Sequence, residues 1–326
     1  MRRRDFLGAF GGAAAWPLSG LAQERDSTKL IAVLIGGLDN PTVRLRVTAF
    51  VQELQRLGWT DGANARVQLR FGGPDPTAQA RELVQLKPDV IVAGPTNAFL
   101  PVQRETRTIP IVFVGVSDPL GQGFVQSMSK PGGNATGFSN LEFSLIGKWL
   151  QILKDAIPRI GRAGLLISTS NASSPRWYRT FSEVAPTFRI EPVPLPLPDP
   201  AALEGILTAF AREANSALIV PGDSVVETPG VRRTIIEFAA RHRLPALSGG
   251  LPFAAEGGLI SYGIEPVDPY RRAAAYVDRI LKGEKPADLP VQAPDKFHFI
   301  INLKTAKALG LELSPTLVGT ADEVIE

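Results

Sequence analysis

The feature that most constrains the fold is a repeated alternation between short apolar runs and longer amphipathic stretches. "KLIAVLIGG" predicts a buried strand that enters a glycine turn, and "TVRLRVTAFVQELQRLG" places apolar residues at helical spacing as far as Gly58. The same alternation continues through "ARVQLRF", "PDVIVAG" and "IPIVFVG". Strands that are apolar along nearly their whole length and alternate with helices are typical of a parallel sheet covered on both faces. The chain is therefore predicted to be an α/β protein.

The alternation is interrupted once, and this indicates two lobes. The second series begins after "SKPGGNATGFSN" and runs from "LIGKWLQILKDAIP" to "KFHFIINLKTAKALGL", and a Pro-Gly-Gly-Asn connector separates the two series. The first lobe is predicted to end near Gly137. The proline-rich stretch "EPVPLPLPDP" at 191–200 fits either a linker or an edge strand, because apolar residues alternate with its prolines.

The first residues have the layout of an export signal. "MRRRDFLGAFGGAAAWPLSGLAQ" is basic, then apolar, then small. The uncharged run from Phe6 to Leu21 would rise roughly 24 Å as a helix, which is short of the ~30 Å hydrocarbon core of a bilayer. "RRDFL" resembles the twin-arginine consensus. Residues 1–22 are therefore predicted to be a twin-arginine-type signal peptide cleaved after Ala22, and the mature protein is expected in the periplasm.

Composition and motifs argue against several classes of function. The chain has no cysteine and only two histidines, so disulfides, lipoprotein anchors and zinc sites are not expected. Without residues 1–22 the net charge falls from +3 to +1, which provides no basic face for nucleic acid. The sequence has no G-x-S-x-G, Walker A or G-x-G-x-x-G motif. No catalytic residue, metal or cofactor is predicted.

The candidate binding residues lie in loops that follow the predicted strands. In open α/β sheets, ligands bind at the carboxyl ends of the strands. Several of these residues could instead be helix caps or turn residues, and the tyrosine could be a core aromatic residue. Together, however, the loops of both lobes predict a cleft between the lobes. The candidates are Gly37, Thr96, Asn97, Ser117, Asp118, Asn171, Asp223 and Tyr262.

Longer stretches of the chain resemble a known family. "IPIVFVGVSDPLGQGFVQSMSKPGGNATGFSN", "EGGLISYG" and "ADLPVQAPDKFHFIINLKTAKALGL" resemble the ABC-transporter substrate-binding family typified by tryptophan- and tyrosine-binding members. The resemblance implies a type I periplasmic-binding fold, in which two Rossmann-like lobes with parallel sheets are joined by a multi-crossing hinge. It implies an N-terminal lobe of 29–137 plus about 265–290, and a C-terminal lobe of 138–264 plus about 291–326. The crossings are expected near 136–139, near 262–265 and between 286 and 297.

The resemblance also implies a function. The protein would be the periplasmic solute-binding component of an ABC import system, a monomer that captures a small polar-headed molecule such as an amino acid by clamshell closure and delivers it to a membrane permease. Thr96 and Ser117 would bind the carboxylate, and Asp223 the amine. Where many relatives have "TPAA", this chain has Thr96-Asn97-Ala98-Phe99, and the Phe99 ring is expected to reshape the pocket, which argues against an aromatic ligand.

Two other functions are compatible with the same fold. A periplasmic ligand sensor could present its closed form to a membrane receptor. An exported enzyme on a Rossmann-like scaffold is less favoured, because the catalytic motifs are missing. A cytoplasmic repressor core is disfavoured by the export signal and by the absence of a helix-turn-helix before Lys29.

Overall fold

The structure is a computed structural model that describes residues 28–37, 39, 41–73, 75–140, 143–170, 173–222 and 225–326. The predicted signal peptide and two of the candidate binding residues, Asn171 and Asp223, lie outside the described residues.

Strands and helices alternate along most of the chain. The strands are β1 Lys29–Ile35, β2 Ala65–Phe71, β3 Val90–Gly94, β4 Ile111–Val116, β5 Ala135–Ser139, β6 Arg162–Ser168, β7 Glu191–Leu197, β8 Ser216–Val220, β9 Ala246–Ser248, β10 Ile260–Ile264, β11 Phe297–Asn302 and β12 Glu323–Ile325. The helices are α1 Pro41–Arg56, α2 Thr77–Gln85, α3 Thr96–Glu105, α4 Leu145–Ala156, α5 Ser174–Val184, α6 Leu203–Phe210, α7 Pro229–Arg241, α8 Pro252–Ala255, α9 Asp268–Leu281, α10 Leu303–Leu309 and α11 Pro315–Gly319.

The first sheet has the strand order β2-β1-β3-β4-β5, and all of its strand pairs are parallel. Successive side chains of each strand face opposite sides of the sheet. Ile31 and Val33 therefore pack with α1 and α9, whereas Ala32 and Leu34 pack with α2 and α3. Both faces of the sheet are covered, which explains why β1 and β3 are apolar throughout.

The second sheet has the strand order β12-β11-β10-β9-β8-β6-β7, with β10 and β11 antiparallel and the other pairs parallel. Leu165 and Ile167 pack with α4 and α5 on one face, and Leu166 packs with α6 and α7 on the other. The proline-rich stretch forms β7 at the edge of this sheet, so the edge-strand alternative is the correct one. An edge position suits prolines, since it leaves one side of the strand without ladder partners.

The chain passes between the two sheets near three segments: 140–144 after β5, 265–267 after β10, and 289–296 before β11. In the last of these segments, Gln292 forms a bridge with Phe138, and its amide donates to the Gly137 carbonyl at 2.9 Å. The predicted class, two α/β lobes joined by several crossings, is thus confirmed.

The sequence analysis did not predict strand β5 at 135–139, which directly follows the Pro-Gly-Gly-Asn connector. Its sequence, "ATGFS", contains a glycine and two hydroxyl residues and does not look like a strand. Gly137 is required there because a Cβ would overlap the Phe113 backbone, and Thr136 is buried with its hydroxyl donating to the Leu289 carbonyl at 2.6 Å.

No helix within the described ranges is long and apolar enough to cross a membrane.

Candidate functional site

In the interior of each sheet there is a place where two adjacent strands are followed by helices on opposite faces and the connections then lead to opposite ends of the sheet. In the first sheet it lies between β1 and β3, and in the second between β6 and β8. The loops diverge at such a switch point and open a crevice at the carboxyl ends of the strands. Among the described residues, these crevices are bordered by 36–37 and 95–97 in the first lobe, and by 169–170, 173, 221–222 and 225–228 in the second.

The first crevice contains three of the candidate residues. Gly37 adopts a positive φ of 99°, and its amide donates to the Gly73 carbonyl at 3.1 Å. The exposed Asn97 side chain lies against Gly36, where any Cβ would overlap its amide group. The Thr96 hydroxyl does not cap α3 but accepts a hydrogen bond from the Ser117 amide at 2.9 Å, which fixes the loops after β3 and β4 to each other.

Ser117 is held by two residues that the sequence analysis did not identify. Its hydroxyl donates to Asn140 Oδ1 at 3.1 Å, and its carbonyl accepts from Gln122 Nε2 at 2.5 Å. Asn140 directly follows β5, and it was overlooked because β5 was not predicted as a strand. The polar groups after β3, β4 and β5 are therefore joined in one network.

Asp118 contacts the other lobe. Its Oδ1 accepts from Arg176 Nη1 at 2.7 Å and from the Gly121 amide at 3.1 Å, and the side chain is 13% exposed. Arg176 lies on α5 of the second lobe, with its guanidinium 4.2 Å from the centre of the Phe143 ring. This ion pair connects the loop after β4 directly to the beginning of α5, so the two crevices face each other.

Aromatic residues of the second lobe pack next to the Asp118–Arg176 ion pair. Phe143 packs edge-on against Trp177 at 5.2 Å, and Trp177 stacks on Trp149 at 5.5 Å between ring centres. The Trp149 indole donates to the Tyr262 carbonyl at 2.8 Å, close to the second crossing. Arg176 therefore packs on a group of aromatic side chains that extends to the hinge region.

Tyr262 is half-buried in β10. Its ring stacks on Phe297 at 5.8 Å and packs edge-on against Phe299 at 5.8 Å, and Lys148 Nζ lies 5.7 Å from its centre. Burial, with a smaller effect of Asp322, raises the pKa of the Tyr262 hydroxyl above its ordinary value. These contacts fit the core-aromatic alternative, and they place the ring beside the second and third crossings.

Phe99 does not reshape the pocket, contrary to the expectation from the sequence. Its side chain is fully buried on the sheet-facing side of α3, with ring centres 5.2 Å from Phe113 and 5.1 Å from Phe124. The argument against an aromatic ligand is thereby removed, because this ring belongs to the core of the first lobe.

A carboxylate that the sequence analysis missed lies in the second crevice. Glu227, in the loop between β8 and α7, accepts from the Ser248 hydroxyl at 3.3 Å, and its Oε2 lies 3.5 Å from Arg232 Nη1. Burial raises the pKa of Glu227 to about 7, and this effect exceeds the opposing effects of Arg232, Ser248 and Arg46. A buried carboxylate following a parallel strand is a common element of binding sites.

The candidate site contains no metal centre among the residues that the structure describes, since no three His, Cys, Asp or Glu side chains come together as ligands.

Comparisons with known proteins agree with this architecture. Residues 31–325 match the family model of the ABC transporter substrate binding protein. A tyrosine-binding protein of Clostridioides difficile (strain R20291) is 26% identical over 294 residues, which cover 89% of this chain and 84% of that protein.

Two solved structures illustrate the likeness in fold. The ABC domain in complex with L-Trp from Streptococcus pneumonia is 24% identical, with a TM-score of 0.83 and coverage of 92% of this chain and 100% of that one. The ligand-free, open structure of a substrate binding protein with adhesive properties from Clostridium difficile is 24% identical, with a TM-score of 0.72 and coverage of 91% and 99%. These relatives are solute-binding proteins rather than enzymes. The chain belongs to the ABC transporter substrate binding protein family.

Proposed function

We propose that this protein captures an amino acid in the cleft between its two lobes and delivers it to an ABC permease for import. The observation that carries the proposal is the meeting of the two crevices, which the Asp118–Arg176 ion pair joins at 2.7 Å. Relatives described as tyrosine-binding and as a complex with L-Trp support an aromatic amino acid. The burial of Phe99 in the core is compatible with a ligand of that size.

The N-terminal crevice is suited to the carboxylate of such a ligand. The Thr96 hydroxyl accepts from the Ser117 amide and has no acceptor of its own among the described residues, so its proton can be donated to a ligand oxygen. The Ser117 hydroxyl proton, by contrast, is already donated to Asn140. Of the two hydroxyls predicted to bind the carboxylate, Thr96 is therefore the better donor, while Asp223 remains the residue predicted to bind the amine.

Capture would involve closure of the lobes about the crossings at 140–144, 265–267 and 289–296, which trap the ligand and present a surface to the permease. The lobe boundaries, the monomeric state, the twin-arginine signal and the periplasmic location remain predictions that belong to this function. N-terminal sequencing of the exported protein tests the predicted cleavage after Ala22.

Isothermal titration tests the ligand class directly. The purified mature chain is titrated with L-tyrosine, L-tryptophan and, as a control, a neutral sugar such as ribose. We expect saturable binding of at least one aromatic amino acid, a ligand-dependent rise in melting temperature and no response to the sugar. Failure of every proteinogenic amino acid to bind would overturn the proposal. Uptake of labelled ligand by cells with and without the gene then separates transport from sensing.

A further inference from the structure

Glu227 has fewer strong partners than the other charged side chains around it. Its side chain is only 23% exposed, yet its contacts are a 3.3 Å hydrogen bond from the Ser248 hydroxyl and a 3.5 Å approach of Arg232 Nη1. Charge-assisted hydrogen bonds between nitrogen and carboxylate oxygen are usually about 2.7–2.9 Å. The carboxylate is thus largely removed from water without a close counter-ion.

The guanidinium of Arg232 donates its hydrogen bonds to groups other than the Glu227 carboxylate. Its Nε and Nη2 donate to the two oxygens of Glu256 at 2.8 and 2.5 Å, and its Nη1 donates to the main-chain carbonyl of Glu227 at 2.6 Å. Two carboxylates therefore share one cation, and the closer geometry belongs to Glu256. Glu227 is therefore left without a cationic partner closer than 3.5 Å among the described residues.

The surroundings of the carboxylate hold it in one position. Gly250 packs directly against it, and a Cβ at that position would overlap the carboxylate atoms. The Gly250 amide donates to the Ser248 hydroxyl at 2.9 Å, which directs the hydroxyl proton towards Glu227. Gly250 thus leaves space for the Glu227 carboxylate and Ser248 orients it, but neither residue neutralises its charge.

The first lobe supplies one cation that acts on Glu227, but not at contact distance. Arg46 of α1 lowers the pKa of Glu227 electrostatically, although the ion pairs formed within 4 Å by described residues do not include one between Arg46 and Glu227. The buried Nε of Arg46 has no hydrogen-bond partner among the described residues. The charged groups that face Glu227 are therefore Arg46 from α1, Arg232 from α7 and Glu256 after α8. Their combined effect does not overcome burial, and the pKa of Glu227 stays at about 7.

We propose that Glu227 binds the protonated amine of the ligand and thereby selects ligands that carry a primary ammonium group. This inference rests on the proposed function and deepens it by assigning the residue that distinguishes an amino acid from the corresponding acid without an amine. A bound ammonium supplies the missing counter-ion and is attracted to a carboxylate that water screens only weakly. Asp223, which the sequence analysis assigned to the amine, is the competing assignment.

The experiment compares L-tyrosine with 3-(4-hydroxyphenyl)propionate, which lacks the amine, by titration calorimetry at pH 7.5. We expect the wild-type chain to prefer tyrosine, and Glu227→Gln to weaken tyrosine binding about tenfold or more while leaving the amine-free acid within about twofold. Glu204→Gln is the matched control: it removes a carboxylate from the same lobe that is paired with Arg241 on α7 at 3.2 Å but is 65% exposed. This control should bind both probes like the wild type.

A pH series adds a second readout. Tyrosine binding requires the ionised form of Glu227, so with a pKa near 7 the wild-type affinity should fall roughly five- to tenfold between pH 7.5 and pH 6. Glu227→Gln should lose this dependence, whereas Glu204→Gln should retain it.

Two results would overturn the inference while leaving the proposed function intact. One is equal affinity of the wild-type chain for tyrosine and the amine-free acid. The other is a wild-type preference that survives in Glu227→Gln but disappears in Asp223→Asn. If the wild-type chain binds no amino acid at all, the proposed function fails, and the inference that rests on it fails too.

Discussion

Asp118 and Glu227 are carboxylates in equivalent places, each in a loop at the carboxyl end of a parallel strand, one in each lobe. Asp118 is bound by Arg176 at 2.7 Å and by a main-chain amide at 3.1 Å. Glu227 has a hydroxyl at 3.3 Å and a guanidinium at 3.5 Å that is shared with Glu256. The position of a carboxylate in the fold brings it to the cleft. Whether it can bind a ligand depends on how many nearby donors and cations already bind to it.

Backbone conformation contributes to this difference. Asp118 has a positive φ of 43°, an uncommon conformation for a residue other than glycine, and its carboxylate accepts from the Gly121 amide within the same loop. Arg176 then approaches it from the other lobe and forms no ion pair with a second acid among the described residues. In the loop around Glu227, the main-chain carbonyl of Glu227 itself accepts a hydrogen bond from Arg232.

The largest effect should come from removing the cation that Glu227 and Glu256 share. Arg232 is 10% exposed, so Arg232→Met leaves two carboxylates without their common partner and should lower the free energy of unfolding by about 3–5 kcal/mol. Urea denaturation measures this loss. Arg241→Met is the control on the same helix, because its pair with Glu204 is exposed and should contribute less than about 1 kcal/mol. Equal losses in the two variants would mean that Arg232 contributes no more to the free energy of unfolding than an arginine in an exposed ion pair.

A smaller effect should appear in the pH dependence of stability. Folding raises the pKa of Glu227 from its ordinary 4.5 to about 7, so the folded chain retains a proton that the unfolded chain releases. The contribution of Glu227 to stability is therefore most favourable below pH 4.5 and is lost as the pH rises through 7. Glu227→Gln should match the wild type near pH 4.5 and be more stable by about 1–3 kcal/mol at pH 8.

Thermal unfolding across pH 4.5–8 measures this difference, with Glu204→Gln as the control that should show no such divergence. A Glu227→Gln variant that is less stable than the wild type at pH 8 would show that the folded chain stabilises the ionised Glu227 carboxylate, as it does that of Asp118. Higher stability together with weaker tyrosine binding is the combination expected of a residue retained for function.

The smallest effect should come from Asp118. Its partner Arg176 is 51% exposed, so Asp118→Asn should weaken the contact between the lobes by about 1 kcal/mol and weaken tyrosine binding about fivefold. The double variant Asp118→Arg/Arg176→Asp should recover part of this loss, because the opposite charges again face each other. Small-angle scattering with and without tyrosine follows the closure. Equal affinities in the wild type and all variants would show that the pair does not contribute to closure.

Much of the architecture could be predicted from the sequence because it depends on local patterns. Continuous apolar runs such as "LIAVLI" and "VIVAG" indicated strands buried on both faces, and their alternation with helices indicated parallel sheets. Strand β5 was missed because its glycine and hydroxyl side chains are accommodated by partners from other parts of the chain, including Leu289 and Gln292.

The site could be predicted only in part. Position after a strand predicted Thr96, Ser117 and Asp118 as cleft residues. Three of their hydrogen bonds join residues that are 21, 23 and 58 positions apart, and these pairings could not be read from the sequence. Glu227 was overlooked because a glutamate before a helix resembles an ordinary exposed residue. Its burial arises from β9 and its following glycines, which come from a later part of the chain.

The sequence by itself determined two series of buried strands, and with them two parallel sheets whose polar loops gather at their carboxyl ends. Periodicity and hydrophobicity are properties of neighbouring residues, and they are sufficient for that result. Only the tertiary structure decided that Phe99 belongs to the core, that Asp118 is neutralised across the cleft and that Glu227 lacks a close cation. A hydrogen-bonding group has a limited number of partners, and which partners it obtains depends on residues that only folding brings together.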